Sequence, residues 1–215
     1  MAAAKELNIR EWDRREAYAY YCRLSNPFYM VTFRQEVTRL YDYTKARGLS
    51  FYEGMIWACT QALNGVDAFR VTSREGRLFL LDRRDPSFTD IKPGTERFHI
   101  VTMAHLPRIG DFCREASRLR KLQEAFIDPD KESDALIYYT CMPWIDLTAL
   151  TNGRDLSAPG ALEDSIPRIA WGRFNDENGK KTLGISVEVN HRFIDGIHIG
   201  RFAELLTCEM ERLEP

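Results

Sequence analysis

Two side chains offer chemistry at a useful spacing: His191 and Asp195, in the stretch Val189-Asn190-His191-Arg192-Phe193-Ile194-Asp195-Gly196. An imidazole titrates close to neutral pH, so on a rigid mount it can take a proton from a substrate as a general base. Together with His198 the pair also has spacings that a metal site could use. His198 falls inside a helical pattern, however, and neither His99 nor His105 stands out as a fourth ligand, so no metal is expected. The five cysteines (Cys22, Cys59, Cys113, Cys141 and Cys208) are scattered and form no C-x-x-C pair. They read as packing residues, without a motif that would activate a thiol.

The elements around His191 must hold it firmly for such a role. Leu183, Ile185, Val187 and Val189 alternate as in a strand, and after Gly196 the apolar positions Ile199, Phe202, Leu205, Leu206, Met210 and Leu213 follow helical spacing. His191 therefore lies just past a strand end. Asp195 lies at the lip of the helix, where it could cap the first turn.

Elsewhere, helices are expected over 10–24, 37–47, 51–65 and 108–126. The third opens on the capping box Ser50-Phe51-Tyr52-Glu53. The fourth is amphipathic, with Arg108, Arg114, Arg118, Arg120 and Lys121 read as a solvated face. Strands are expected over 28–36, about 87–91, 97–104 and 135–141. Phe69–Thr72 and Leu78–Leu81 flank Ser73-Arg74-Glu75-Gly76 as a hairpin, and a second hairpin joins 166–174 to 182–189. Thr151 to Ser165 has no periodic pattern. Hairpins with interspersed helices point to an α+β fold with a mixed, largely antiparallel sheet.

At 215 residues without a linker or repeat, one domain over 1–215 is expected. A formal charge of -2 gives no field that would draw a nucleic acid or an anionic membrane. The N-terminal residues lack the apolar core of a signal peptide, no run reaches membrane-spanning length, and the scattered thiols suit a reducing compartment. A cytoplasmic protein is the expectation.

Four motifs resemble those of the chloramphenicol acetyltransferase family, and the similarity runs over nearly the whole chain. They are Trp12-x-Arg14-x-Glu16, Phe69-Arg70 with Gly76-x-Leu78, Pro143-Trp144, and Asn190-His191-x-x-x-Asp195-Gly196-x-His198-x-Gly200-Arg201. His191-Arg192 also looks like the H-R-x-x-D-G of dihydrolipoamide acyltransferase cores, a second branch of the same fold. The resemblance implies a CoA-dependent acyltransferase-like two-layer sandwich of sheet and helices. It implies transfer of an acetyl group from acetyl-CoA, as co-substrate, to a hydroxyl of chloramphenicol or a similar small acceptor. His191 would be the base, Asp195 would pair with Arg14 behind it, and Tyr29 would contact the acceptor. The assembly implied is a homotrimer with active sites between subunits.

Two positions depart from the family pattern. Ala149, beside Thr148, stands where the family has a hydroxyl that holds the developing oxyanion, and Ala170 stands where it has a Thr. Loss of one oxyanion donor costs about 2.7–4 kcal/mol, so weakened activity is one expectation. The alternatives are a member that binds CoA or a ligand without turnover, and an oligomeric acyltransferase-core scaffold.

Overall fold

The computed structural model describes residues 3–214. In chain order the strands are β1 (Ala4–Leu7), β2 (Phe28–Glu36), β3 (Val71–Arg74), β4 (Arg77–Leu81), β5 (Asp85–Ile91), β6 (Phe98–Thr102), β7 (Leu136–Met142), β8 (Arg168–Gly172), β9 (Asn175–Glu177) and β10 (Lys180–Asn190). The helices are α1 (Arg15–Tyr21), α2 (Thr38–Ala46), α3 (Phe51–Asn64), α4 (Asp67–Arg70), α5 (Ile109–Leu122) and α6 (Gly196–Glu211). The main sheet runs β2-β10-β8-β7-β5-β6, with β9 hairpinned onto β10. Only the β8–β7 and β7–β5 pairs are parallel. The α+β class with a mixed, largely antiparallel sheet is thus the observed one.

Alternation along the strands sorts the sheet into two faces. Phe88, Tyr139, Ile169, Trp171, Ile185, Val187 and Val189 are buried in the core with α3, which is itself buried at every position from Glu53 to Thr60. Tyr139 ties sheet to helix through a 2.9 Å hydroxyl contact with Thr60. The opposite face carries Thr89, Thr140, Ala170, Ser186 and Thr32 in register. The stretch 143–165 crosses that face. A Cβ on Gly172 or Gly184 would collide with the backbone of Ile145 or Leu147, so these two glycines allow the crossing.

Several sequence expectations are corrected. Phe69 and Arg70 lie in α4 rather than in a strand, because packing draws the Phe69 ring fully into the core; the Arg70 guanidinium reaches back one turn to Asp67 at 2.6 Å. The hairpin turn is then Glu75-Gly76, both at positive φ (53° and 75°), the two-residue geometry that matches strand twist. The first helix covers only Arg15–Tyr21 and α5 stops at Leu122, beyond which the side-chain Nε2 of Gln123 donates to the Ile100 carbonyl at 2.7 Å. Ser50 does cap α3, accepting from the Glu53 N–H at 3.3 Å. The Glu53 carboxylate does not return to close the box; it accepts from Ser117 and from Arg120, both at 2.8 Å. Arg120 is accordingly no solvated residue but bridges Glu53 and Asp90. The strand β1, which pairs with β4 in a separate three-stranded sheet, had no alternating signal.

Candidate active site

Strand β10 ends at Asn190, and the chain turns through His191 into α6. The turn is held by its own backbone: the Phe193 and Ile194 N–H groups both donate to the Asn190 carbonyl (3.0 and 3.1 Å). Asn190 is buried and braces the turn from the side. Its Nδ2 donates to the carbonyls of Leu162 (2.9 Å) and Asp164 (3.0 Å), and its Oδ1 accepts from the Arg192 N–H at 3.0 Å. The His191 N–H donates to the Pro27 carbonyl at 2.8 Å. Its carbonyl accepts from Nη2 of Arg14 at 3.0 Å.

Behind the turn, Arg14 forms an ion pair with Asp195. Asp195 is also the N-cap residue of α6, and its N–H donates to Nδ1 of His198 at 2.9 Å. The two uses weighed for Asp195, cap position and partner of Arg14, therefore coexist. The Asp195 Oδ1 lies 3.1 Å from Nδ1 of His191, outside hydrogen-bonding geometry.

The imidazole lies between aromatic rings. Tyr21 stacks on it at 3.9 Å between centroids and 12° between planes, and Tyr29 lies against it at 4.3 Å and 30°. The His191 side chain nevertheless keeps 27% exposure. Burial lowers its pKa below the ordinary value; backbone carbonyls of His191 and Ile194 oppose the shift and the Arg14 charge adds to it. The ring is therefore neutral at pH 7 and able to accept a proton. Tyr29 donates its hydroxyl to the Ile194 carbonyl at 3.2 Å, so toward a ligand it presents ring rather than hydroxyl.

Thr148 and Ala149 are exposed on the crossing segment. Their place along it is pinned on both sides. Leu147 is buried against Gly184, and Leu150 exchanges hydrogen bonds with the Ser186 hydroxyl (2.9 and 3.3 Å). From Ser186 to Asn190 the strand rises about 13 Å, so one chain does not bring Thr148 or Ala149 to its own His191. The same segment forms a wall of a 560 Å³ cleft lined by Phe51, Tyr52, Trp144, Trp171, Phe174 and Arg173. Among the described residues no cluster of three or more His, Cys, Asp or Glu could hold a metal ion, and no helix is long and apolar enough to cross a membrane.

Comparison with known proteins decides the family. A sequence model described as chloramphenicol acetyltransferase matches residues 3–207. The chain belongs to the chloramphenicol acetyltransferase family. Curated relatives include chloramphenicol acetyltransferase 2 of Escherichia coli, 25% identical over 203 residues and covering 93% of each chain. The enzyme of Clostridium perfringens is 26% identical over 202 residues, 91% of this chain and 90% of that one. A solved chloramphenicol acetyltransferase superposes with a TM-score of 0.85 at 21% identity, covering 97% of this chain and 100% of the other. The dihydrolipoamide acetyltransferase of Azotobacter vinelandii shares the fold at a TM-score of 0.68 and 15% identity, over 92% of this chain and 86% of that one. As a member of this family the chain is a CoA-dependent O-acyltransferase with acetyl-CoA as co-substrate.

Set against this family frame, Tyr21 was not singled out from sequence. Its one signal was a place in the tyrosine-rich run after Trp12-x-Arg14-x-Glu16, and only the fold turns its ring onto His191. Asn190, the residue before His191, proves to be a brace of the turn.

Proposed function

We propose that this single-domain protein transfers an acetyl group from acetyl-CoA to a hydroxyl of chloramphenicol or a similar small acceptor, with His191 as the general base. The observation that carries this reading is a neutral, partly exposed imidazole whose backbone, rings and neighbouring carboxylate are all fixed. In the reaction His191 takes the acceptor's hydroxyl proton as the oxygen bonds to the thioester carbonyl carbon. The C–S bond then breaks, and the proton leaves with the CoA thiol. Arg14 and Asp195 touch no substrate. They hold the loop: Arg14 binds the His191 carbonyl and Asp195 together, and its positive charge disfavours an imidazolium in the resting site. Tyr29 offers its ring edge to the acceptor.

The 560 Å³ cleft suits the co-substrate. Its indole and phenyl walls give flat apolar surface for an adenine and a pantetheine arm, and the exposed Arg173 places positive charge at the rim for phosphate. The separation of about 13 Å between the Ala149 segment and His191 in one chain supports a site completed by a second copy, hence a homotrimer with sites between subunits. Five free cysteines favour action in the cytoplasm.

The test is release of the CoA thiol from acetyl-CoA, followed with a thiol reagent, on addition of chloramphenicol and a panel of small alcohols. No release above the rate without acceptor would sink the proposal. The pH profile checks the base. Only neutral His191 is active and its pKa is lowered, so kcat/KM rises with pH through one ionisation centred below the ordinary imidazole value of about 6.5, then levels by pH 7. A flat profile down to pH 5 would remove His191 from the role.

Tyr21 is a positioning residue. Replacing it with Ala removes a stacked ring worth about 0.5–1.5 kcal/mol and is expected to lower kcat roughly 2–10-fold. Tyr21→Phe should restore the rate because the contact is made by the ring. Equal losses for both variants would point to the hydroxyl instead.

A further inference from the structure

Only part of the 560 Å³ cleft is the aromatic surface that suits CoA. Trp144, Trp171 and Phe174 come from the crossing segment and the end of β8, whereas Asp90, Phe98 and Arg120 come from β5, β6 and α5. Arg120 stands apart on its helix. Arg114 and Arg118 pair with Asp111 and Glu115 one turn back on the outer face of α5. Arg120 turns inward and lines the cleft.

A guanidinium has five N–H groups. Three are engaged here: Nε and Nη2 meet Oδ1 of Asp90 at 2.7 and 2.6 Å, and Nη1 meets Oε1 of Glu53 at 2.8 Å. One N–H on each terminal nitrogen is left over. Ser117 donates to both oxygens of Glu53 (2.8 and 3.0 Å) and fixes that carboxylate from behind. The Arg120 side chain is 30% exposed, against 0% for Glu53 and 8% for Asp90, so the guanidinium is what the cluster presents to the cleft. Stability alone does not account for the arrangement. Apolar residues of similar volume in place of buried ion pairs are often as stable or more so. What the carboxylates supply is direction: they hold a long, flexible side chain with its unused donors at one place.

The cleft's other groups say what those donors take. Among the described residues lining it, Arg120 and Arg173 are cationic and only Asp90 is anionic, with its Oδ1 already occupied. Anionic oxygens are the partners that a guanidinium fork binds most strongly. Two carboxylates already share the Arg120 charge, which suits a singly charged carboxylate better than a phosphate carrying up to about two charges. The adjoining wall is apolar. Ile91 and Phe98 expose their side chains, and Phe126 holds the Phe98 ring edge-on at 5.3 Å. Such a wall suits an aromatic or aliphatic body attached to the carboxylate.

We propose that Arg120 is a specificity-determining residue, and that the alcohol acetylated is a hydroxy acid with one carboxylate set apart from the reacting hydroxyl on an apolar body. The carboxylate takes the two unused N–H groups of Arg120 while the body lies on Ile91 and Phe98. This assignment rests on the acyl-transfer function proposed above.

The experiment compares 4-(hydroxymethyl)benzoate with its methyl ester as acceptors, following thiol release with acetyl-CoA held constant. The two share ring and hydroxyl and differ in charge. The acid should have the higher kcat/KM by about tenfold, the worth of one hydrogen bond to a charged donor. Arg120→Lys keeps a cation between Glu53 and Asp90 but loses the fork. It should bring the acid-to-ester ratio within about threefold, through the acid's KM, while the KM values of ester and acetyl-CoA stay within about twofold. Thermal melting checks that the variant folds, and the ratio in the unaltered protein carries the test even where it does not. Equal kcat/KM for acid and ester in the unaltered protein would overturn the proposal and leave the acyltransferase standing. A raised acetyl-CoA KM in Arg120→Lys, with the ratio unmoved, would assign Arg120 to a phosphate of CoA and would also overturn it. Absence of thiol release with every alcohol would overturn the acyl-transfer reading. Calorimetric binding of the acid in the presence of CoA then decides the fork by itself: weaker binding to Arg120→Lys supports it, and equal binding overturns it.

Discussion

His191→Ala loses about 10²–10⁴ in kcat, the range that a positioned proton acceptor contributes. The loss falls on kcat and kcat/KM alike, because the imidazole takes up the proton only as the transition state forms. Acetyl-CoA binding should be little changed, since the cleft assigned to it is built from Phe51, Trp144, Trp171 and Phe174. The variant should also fold. Arg14 and Pro27 bind the backbone of residue 191 and not its ring, and the pairing of Arg14 with Asp195 does not need the imidazole. What disappears is the packing of the ring on Tyr21 and Tyr29, about 0.5–1.5 kcal/mol each. Steady-state kinetics by thiol release, with thermal melting beside it, separates the two effects. A variant that keeps more than a tenth of the wild-type kcat would mean that another group takes the proton.

That this prediction could be drawn from sequence reflects how locally the site is encoded. The alternation of Leu183, Ile185, Val187 and Val189 and the helical spacing after Gly196 are short-range patterns, and together they place His191 at a strand end. Long-range partnerships left weaker marks. Arg120 carries the same charge as its neighbours on α5, and nothing nearby says that Glu53 and Asp90 will draw it inward. Glu53 itself fitted a capping box in sequence, but a buried carboxylate gains more from Arg120 and Ser117 than from the start of its own helix. Phe69 has the composition of a strand residue; its burial in α4 is settled by tertiary packing. Asp195 shows the limit from the other side. Sequence posed its two uses as alternatives, whereas a carboxylate has enough acceptor sites for more than one.

Ala149→Ser is expected to raise kcat by about 10²–10³, the amount that one oxyanion donor supplies. The alternative, that Thr148 already does this work, would require the segment to shift by one residue. The structure opposes such a shift at both flanks. Moving Leu147 off its seat would push a side chain against Gly172 and Gly184, where there is no room even for a Cβ. It would also break the pair of hydrogen bonds between Leu150 and Ser186. Ala170, the other departure, is buried in β8 between Thr140 and Ser186, and the Ser186 hydroxyl is committed to Leu150, so neither supplies a replacement donor. The Ser introduced at 149 would lie on an exposed stretch, so folding should be unaffected. The gain should appear in kcat with acceptor KM nearly constant, since the donor bonds an oxygen whose charge develops only in the transition state. Thr148→Ala in the wild-type background should change kcat less than twofold. A large loss in Thr148→Ala together with no gain in Ala149→Ser would show that Thr148 holds the oxyanion after all.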